Sequence, residues 1–115
     1  MRIKEFFKDI ELECKCGCGC KPSEAAIQNL YALRLLFAEP IRITSGRRCP
    51  SYNEQIGGKP NSKHVAGTAF DCKVKKEDEL RFITLAYMCG FQGVGFKDNV
   101  FIHIDTRQTD AMWGY

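Results

Sequence analysis

The chain contains only two histidines, and each lies in a pattern that favours metal binding. His64 is followed seven residues later by Asp71, and His103 lies in the alternating segment Phe-Ile-His-Ile-Asp near the end of the chain. Two imidazoles and one carboxylate are three ligands of the kind that leave a fourth zinc position open for water, as hydrolytic zinc sites do. The chain is therefore expected to fold so that these three side chains meet at one point.

Length and composition set limits on the domain count and on the partners. A chain of 115 residues has room for one core, so we predict a single domain over 1–115, with a cysteine-rich N-terminal segment over 1–21. No apolar run approaches the roughly 20 residues of a membrane span. The net charge of +3 is small and not clustered, which argues against a nucleic-acid-binding stripe. We expect a monomer with neither nucleic acid nor membrane as a partner.

The amino terminus mixes charged and aromatic residues. It has no apolar stretch followed by a small-residue cleavage site, and so it differs from a secretory signal. We therefore expect the chain to be synthesised in the cytoplasm without a signal peptide.

Four of the seven cysteines alternate with other residues in one short segment: Cys14, Cys16, Cys18 and Cys20. This spacing differs from the paired Cys-x-x-Cys of structural zinc modules. Three interpretations stay open. The segment could bind a second metal, it could form a disulfide with Cys49, or its thiols could stay reduced in the cytoplasm and serve only for packing.

The hydrophobic pattern predicts an α+β domain. In chain order the predicted elements are a helix from the cap residue Ser23 to before Pro40, a strand over 41–44, a helical turn over 51–56, a strand over 68–74, a helix over 76–89 and a hairpin of 93–96 with 100–105. Irregular backbone is predicted to lead from residue 59 to His64. This order indicates a mostly antiparallel sheet with flanking helices.

Alternation within the predicted strands places two of the ligand candidates. Asp71 faces away from the apolar side of its strand, and His103 shares a face with Phe101 and Asp105. Small residues between His64 and Asp71 let a loop and a strand close on one ion. Ligands from a loop and two strands can therefore converge if the two strands lie close together.

The stretch from 41 to 71 contains a complete Ser-x-His-x-x-Gly-x-Ala-x-Asp signature, at Ser62, His64, Gly67, Ala69 and Asp71. Because of this signature, the stretch closely resembles the zinc D-Ala-D-Ala carboxypeptidase family, which shares its fold with the hedgehog signalling domain. The later segments 94–96 and 101–107 resemble that family's third-ligand strand. These segments and Cys-Lys-Cys-Gly-Cys-Gly are similar to small phage and prophage members.

The resemblance implies one catalytic Zn²⁺ held by His64, Asp71 and His103. It also implies hydrolysis of peptidoglycan stem peptides, either as a D,D-carboxypeptidase or as an endopeptidase of the endolysin type. Arg48 matches the arginine of the family's Ser-Gly-x-Arg stretch and is expected to bind the oxyanion or a substrate carboxylate, with Arg47 as the weaker candidate. Such a lysin would reach the cell wall through a phage holin or with a virion.

The resemblance leaves the general base open. Many relatives carry an acidic residue or a histidine shortly before the third ligand, where this chain has Val-Phe-Ile at 100–102. Because no histidine is left, the candidates are Asp105, on the same strand face as His103, and Asp98 at the hairpin tip. Asp105 could equally orient a ligand or Arg48.

Several roles stay open at this point. Ser62 is expected to fix the segment of His64 by hydrogen bonding, while Trp113 and Tyr115 either line a substrate groove or pack on the core. The alternative to an enzyme is a zinc-stabilised binding module of the same fold that has lost its base. A cysteine-centred redox or metal-storage protein is a third hypothesis, and it predicts a metal content that does not depend on His64.

Overall fold

The structure is a computed structural model that describes residues 5–115. The first four residues of the predicted N-terminal segment lie outside the described residues. The helices and strands are, in chain order, α1 (Asp9–Leu12), α2 (Glu24–Phe37), β1 (Arg42–Ser45), α3 (Pro50–Gln55), α4 (Lys63–Ala66), β2 (Ala69–Lys73), α5 (Glu79–Met88), β3 (Gly93–Lys97), β4 (Phe101–Asp105) and β5 (Ala111–Gly114). A 3-10 turn over Lys76–Asp78 leads into α5. The helices α1 and α4 and the strand β5 were not predicted from the sequence.

The five strands form one sheet in the order β1-β2-β4-β3-β5. Every neighbouring pair is antiparallel except β3 and β5, which run parallel. The predicted α+β class with a mostly antiparallel sheet is therefore confirmed, and the added strand β5 makes the sheet mixed.

One face of the sheet is apolar because alternate residues of its strands are apolar. Each long helix also has one apolar side, and these surfaces form the core. Helices α2 and α5 contact each other, and Phe37 packs edge to face on Phe82 with ring centres 5.4 Å apart. The fully buried side chains of this core include Leu30, Leu33, Phe70, Phe91 and Ile104. Burial of such side chains is the main favourable contribution to folding.

The opposite face carries a row of five residues, one from each strand. The strand register pairs Ser45 with Asp71, Asp71 with His103, His103 with Gly95, and Gly95 with Trp113. Directly paired residues project from the same face of a sheet. We call these five residues the site row, because both strand-borne ligand candidates lie in it.

The helix ends follow capping rules. Ser23 Oγ accepts a hydrogen bond from the Ala26 amide, which confirms the predicted cap of α2. The helix ends at Phe37, three residues before Pro40, as predicted. The prediction of irregular backbone up to His64 was wrong in part, because His64 lies in the one-turn helix α4. None of the helices within residues 5–115 is long and apolar enough to cross a membrane.

Candidate metal centre

The position of His64 is set by the local structure of α4. Ser62 caps this helix, with its Oγ accepting a hydrogen bond from the His64 amide at 3.2 Å, and Gly67 ends it in a left-handed conformation. His64 Nδ1 lies 2.7 Å from the Gly46 carbonyl oxygen. A carbonyl can only accept, so Nδ1 carries the ring proton. Nε2 is thus left with a lone pair, 3.1 Å from Asp71 Oδ1.

His103 is oriented in the same way by a carboxylate. Its Nε2 lies 2.8 Å from Asp105 Oδ2, and its Nδ1 lies 3.0 Å from Asp71 Oδ1. Because an ionised carboxylate only accepts, Nε2 donates to Asp105. The neutral ring then presents the lone pair of Nδ1 toward Asp71. Carboxylates and carbonyls that fix the outer nitrogen of a histidine are typical of metal-binding histidines.

Three buried acceptor atoms therefore face one another: His64 Nε2, Asp71 Oδ1 and His103 Nδ1, all within 4.8 Å. With both rings neutral, the three lone pairs repel unless a cation or an added proton lies between them. A tetrahedral zinc with bonds of about 2.0–2.1 Å would space its ligand atoms about 3.3 Å apart. The two contacts of 3.0 and 3.1 Å come close to that spacing. The donor set thus fits one Zn²⁺ with an open fourth position.

Burial and hydrogen bonding act in opposite directions on the pKa values of this cluster. Burial disfavours the ionised carboxyl of Asp71, but hydrogen bonds to His103 and His64 outweigh it and hold its pKa well below the usual range. Burial also disfavours the His103 imidazolium, but hydrogen bonds to Asp105 and Asp71 raise its pKa. A proton on His103 and a metal ion between the three ligand atoms are therefore alternatives, so protons compete with a metal for this cluster.

Comparison with known proteins supports this interpretation of the cluster. The sequence model of the family described as Peptidase M15 matches residues 4–105, a span that includes all three ligand candidates. The chain belongs to the peptidase M15 family. Among curated proteins, no match was found. M15 peptidases use zinc, so membership of the family agrees with the donor set and indicates a metallopeptidase.

In this member of the peptidase M15 family, the carboxylate of Asp105 is surrounded by hydrogen-bond donors. Oδ1 accepts from the Arg107 amide at 3.1 Å and from Arg107 Nε at 2.8 Å, while Oδ2 accepts from Arg107 Nη2 and His103 Nε2, each at 2.8 Å. A carboxylate offers about four lone pairs, and all four are used here. The geometry therefore favours the ligand-orienting role of Asp105. Its predicted role as general base stays a prediction.

Arg107 belongs to this centre through its hydrogen bonds to Asp105, although it was not predicted from the sequence to be a functional residue. Burial raises the pKa of Asp105, but hydrogen bonds from Arg107 and His103 outweigh burial and hold that pKa well below its usual range. Gly93, paired with Asp105 on β3, leaves the space that the Asp105–Arg107 pair occupies. The Asp-x-Arg spacing was a usable signal, because residues two apart on an extended chain share a face.

Arg48 lies beside the other oxygen of the Asp71 carboxylate. Its Nη2 is 3.6 Å from Asp71 Oδ2, and it donates to Ser45 Oγ from Nε and to Asn53 Oδ1 from Nη1. Its own amide donates to the His64 carbonyl oxygen at 3.0 Å. A guanidinium carries five N–H groups, so two of them have no partner among residues 5–115. The structure thus brings Arg48 to the edge of the metal centre.

Arg47 points to a different part of the molecule. Its Nη1 donates to the Lys21 carbonyl oxygen at 3.0 Å, and its amide donates to the Leu12 carbonyl oxygen. Its Nε is buried and has no hydrogen-bond partner within the described residues. The contacts of Arg47 therefore join the N-terminal segment to the loop before α3, and none of them reaches the three ligand candidates.

The structure does not bring Asp98 to the metal centre. Asp98 lies in the exposed turn between β3 and β4, beyond the paired residues Lys97 and Phe101. Phe101 is two residues from His103, which is about 7 Å along a strand. The neighbouring Asn99 accepts a hydrogen bond from Lys76 Nζ, so the turn packs toward the start of the 3-10 turn.

Aromatic side chains of the C-terminal segment lie beside the metal centre. The Trp113 ring centre is 5.4 Å from that of His103 and 4.7 Å from Arg107 Cζ. Trp113 covers Gly95, where a Cβ atom would lie 2.5 Å from the indole. Tyr115, which is mostly exposed, packs on Phe101 with ring centres 5.2 Å apart. Both side chains therefore pack on residues beside the metal centre, and their predicted role in a substrate groove stays a prediction.

Proposed function

We propose that this chain is a zinc peptidase that hydrolyses peptide bonds in the stem peptides of bacterial peptidoglycan. The observation that carries the proposal is the convergence of His64 Nε2, Asp71 Oδ1 and His103 Nδ1 in a member of a peptidase family. In that arrangement each histidine has its second nitrogen occupied, so that the free lone pairs point to one place.

The chain's own residues orient the reacting groups. When bound, zinc lowers the pKa of its water to about 7 and polarises a carbonyl group. Gly46 and Asp105 fix the histidine tautomers, and Arg107 in turn holds Asp105 by two side-chain hydrogen bonds. Asp71 uses one oxygen toward the histidines and the other toward Arg48, which keeps the carboxylate from rotating.

The positions of Arg48 and of the aromatic side chains support the proposal that the substrate is a peptide with a carboxylate. Arginine binds carboxylates with two parallel hydrogen bonds, and Arg48 has two N–H groups without a partner among residues 5–115. Trp113 and Tyr115 offer apolar surface on the other side of the metal centre. Stem peptides contain free carboxylates, and the carboxypeptidase and endopeptidase forms of the proposal differ in whether that carboxylate is the end of the substrate.

A second candidate function is a zinc-stabilised binding module. It is favoured by the state of the two predicted bases: the oxygens of Asp105 are fully used, and Asp98 lies at the exposed hairpin tip. A protein that kept the metal cluster and lost its base would bind a stem peptide through Arg48 without cutting it.

The test is mass spectrometry of defined muropeptides after incubation with the zinc-loaded protein. We expect products that differ from the substrate by one hydrolysed stem-peptide bond, and their masses identify that bond. His64→Ala should abolish them, whereas Lys63→Ala, an exposed neighbour in the same helix, should not. Zinc bound through His64 with no product from any muropeptide would refute the peptidase and support the binding module.

We further propose that the protein is a monomer of phage or prophage type, with neither nucleic acid nor membrane as a partner. We also propose that the protein is synthesised in the cytoplasm and reaches the bacterial cell wall through a holin or with a virion. The sequence pattern supports this proposal. Sedimentation would test whether the protein is a monomer, and genetic context would test its phage or prophage origin.

A further inference from the structure

Four cysteine thiols come together at a place separate from the metal centre. The Sγ atoms of Cys14, Cys16, Cys18 and Cys49 all lie within 4.8 Å of one another. Cys14 Sγ is 3.4 Å from Cys16 Sγ, which is 3.6 Å from Cys49 Sγ. Three of these residues come from the alternating segment, and the fourth directly follows Arg48. We call these four residues the thiol cluster.

We propose that the thiol cluster binds a second Zn²⁺ as a closed structural site. Four thiolates are the donor set of structural zinc, which completes its tetrahedron with protein ligands. Zinc–sulfur bonds of about 2.3 Å place the sulfur atoms about 3.8 Å apart. The two separations of 3.4 and 3.6 Å are close to that value. Soft thiolate ligands favour zinc over the hard cations that prefer oxygen.

The backbone around the thiol cluster is arranged as a tight loop. Gly17 and Gly19 adopt left-handed conformations with φ of 83° and 86°, which glycine tolerates without strain. The Cys14 amide donates to the Cys20 carbonyl oxygen and closes the loop. Cys20 thus contributes its backbone to the loop, and its thiol is outside the cluster of four. This explains how four cysteines at every second position can supply three ligands.

Backbone amides donate to two of the sulfur atoms. The Cys49 amide lies 3.3 Å from Cys14 Sγ, and the Tyr52 amide lies 3.4 Å from Cys49 Sγ at the start of α3. Donors of this kind stabilise negative charge on sulfur and orient metal-binding thiolates. The cluster therefore has both the ligands and part of the outer shell that a thiolate metal site needs.

The second metal site would hold the loop that serves the first one. Residues 46–49 carry the Gly46 carbonyl oxygen that orients His64, the guanidinium of Arg48 and the proposed ligand Cys49. The Arg47 amide and side chain already bond to the N-terminal segment at Leu12 and Lys21. A zinc ion in the thiol cluster would join the same two segments through metal bonds, and so keep Arg48 in place.

The first test is zinc content per chain by elemental analysis of protein purified under reducing conditions. We expect two zinc ions in the wild type, one in Cys16→Ser and one in His64→Ala. Cys20→Ser is the matched control, because it changes a neighbouring thiol outside the cluster, and it should keep two. A single wild-type zinc that Cys16→Ser retains and His64→Ala loses would overturn the second site and leave the catalytic one intact.

A serine variant that fails to fold would give no useful metal count, so the second test uses the unaltered chain. Replacement of zinc by Co²⁺ should produce a thiolate-to-cobalt charge-transfer absorption in the near ultraviolet, which the histidine and aspartate ligands of the other site cannot produce. Absence of that band would overturn the proposal. So would iron in place of zinc, or a mass lower by two hydrogen atoms that shows a disulfide within the cluster.

Discussion

Replacement of Asp105 by asparagine tests how Asp105 and Arg107 hold the proposed ligand His103 in place. The Asp105 carboxylate accepts hydrogen bonds from four N–H groups, three of Arg107 and one of His103. An asparagine side chain has one oxygen with two lone pairs, and its NH₂ group faces the remaining donors. At best, two of the four donors keep an acceptor. Asp105→Asn therefore weakens the restraint on the orientation and the tautomer of His103.

The size of the effect follows from these lost hydrogen bonds. Each buried donor without a partner costs about 1–3 kcal/mol. The side chain of Arg107 is 27% exposed, so water reaches part of it. We therefore expect each of the two lost hydrogen bonds to cost the lower end of this range. Together they should lower the free energy of unfolding of the zinc-free chain by about 2 kcal/mol. Loss of an outer-shell partner lowers metal affinity 10–100-fold, which is about 1.4–2.7 kcal/mol.

Zinc affinity is measured by competition with a chromophoric chelator, and unfolding by urea in the zinc-free state. Asp98→Asn is the control, since it makes the same change in the exposed turn and should alter neither quantity. If Asp105 instead acted as the general base, its variant would keep zinc affinity and lose hydrolysis. Unchanged zinc affinity in a folded Asp105→Asn protein would therefore refute the positioning role.

Three further predictions concern pH, packing at the metal centre and the core. The pKa of His103 is raised in the folded chain, so its contribution to the stability of the zinc-free protein is full below about pH 6.5 and is lost as pH rises through the folded pKa. A urea midpoint that rises over that interval would contradict this. Gly95→Ala would press on Trp113, the only tryptophan, and should change its fluorescence spectrum and weaken zinc binding; an unchanged spectrum would count against the packing described. Leu33→Ala, at a fully buried position, should lower the free energy of unfolding by about 2–5 kcal/mol. Leu35→Ala, at a residue 51% exposed, should change it by less than about 0.5 kcal/mol, and equal losses would show that the helix face is assigned wrongly.

Local patterns in the sequence were enough to predict much of the fold. The hairpin of β3 and β4 was predicted because apolar and polar residues alternate through Phe101 to Asp105, and this alternation also fixed the shared face of His103 and Asp105. The long helices were predicted from apolar spacing and from the cap at Ser23. These features depend on neighbours in the chain, which a single sequence displays directly.

Features that depend on distant partners were not predicted. Strand β5 has four residues and pairs with β3 in parallel, and so short a segment shows no clear alternation. Helix α4 is one turn long, which is too short for helical periodicity. The pairing of β2 with β4, which sets Asp71 against His103, follows from the order of strands in the sheet, and the sequence carries no local signal for it.

The site row also bears on how the chain reaches its folded state. Its five members come from five strands, and a slip of one residue between any two strands would turn a member toward the helices. Only the native register can therefore gather the zinc ligands of β2 and β4. An ion that binds this register alone stabilises it over every slipped pairing. We therefore expect zinc present during refolding to favour correct strand pairing over slipped pairing, in addition to any part it has in hydrolysis.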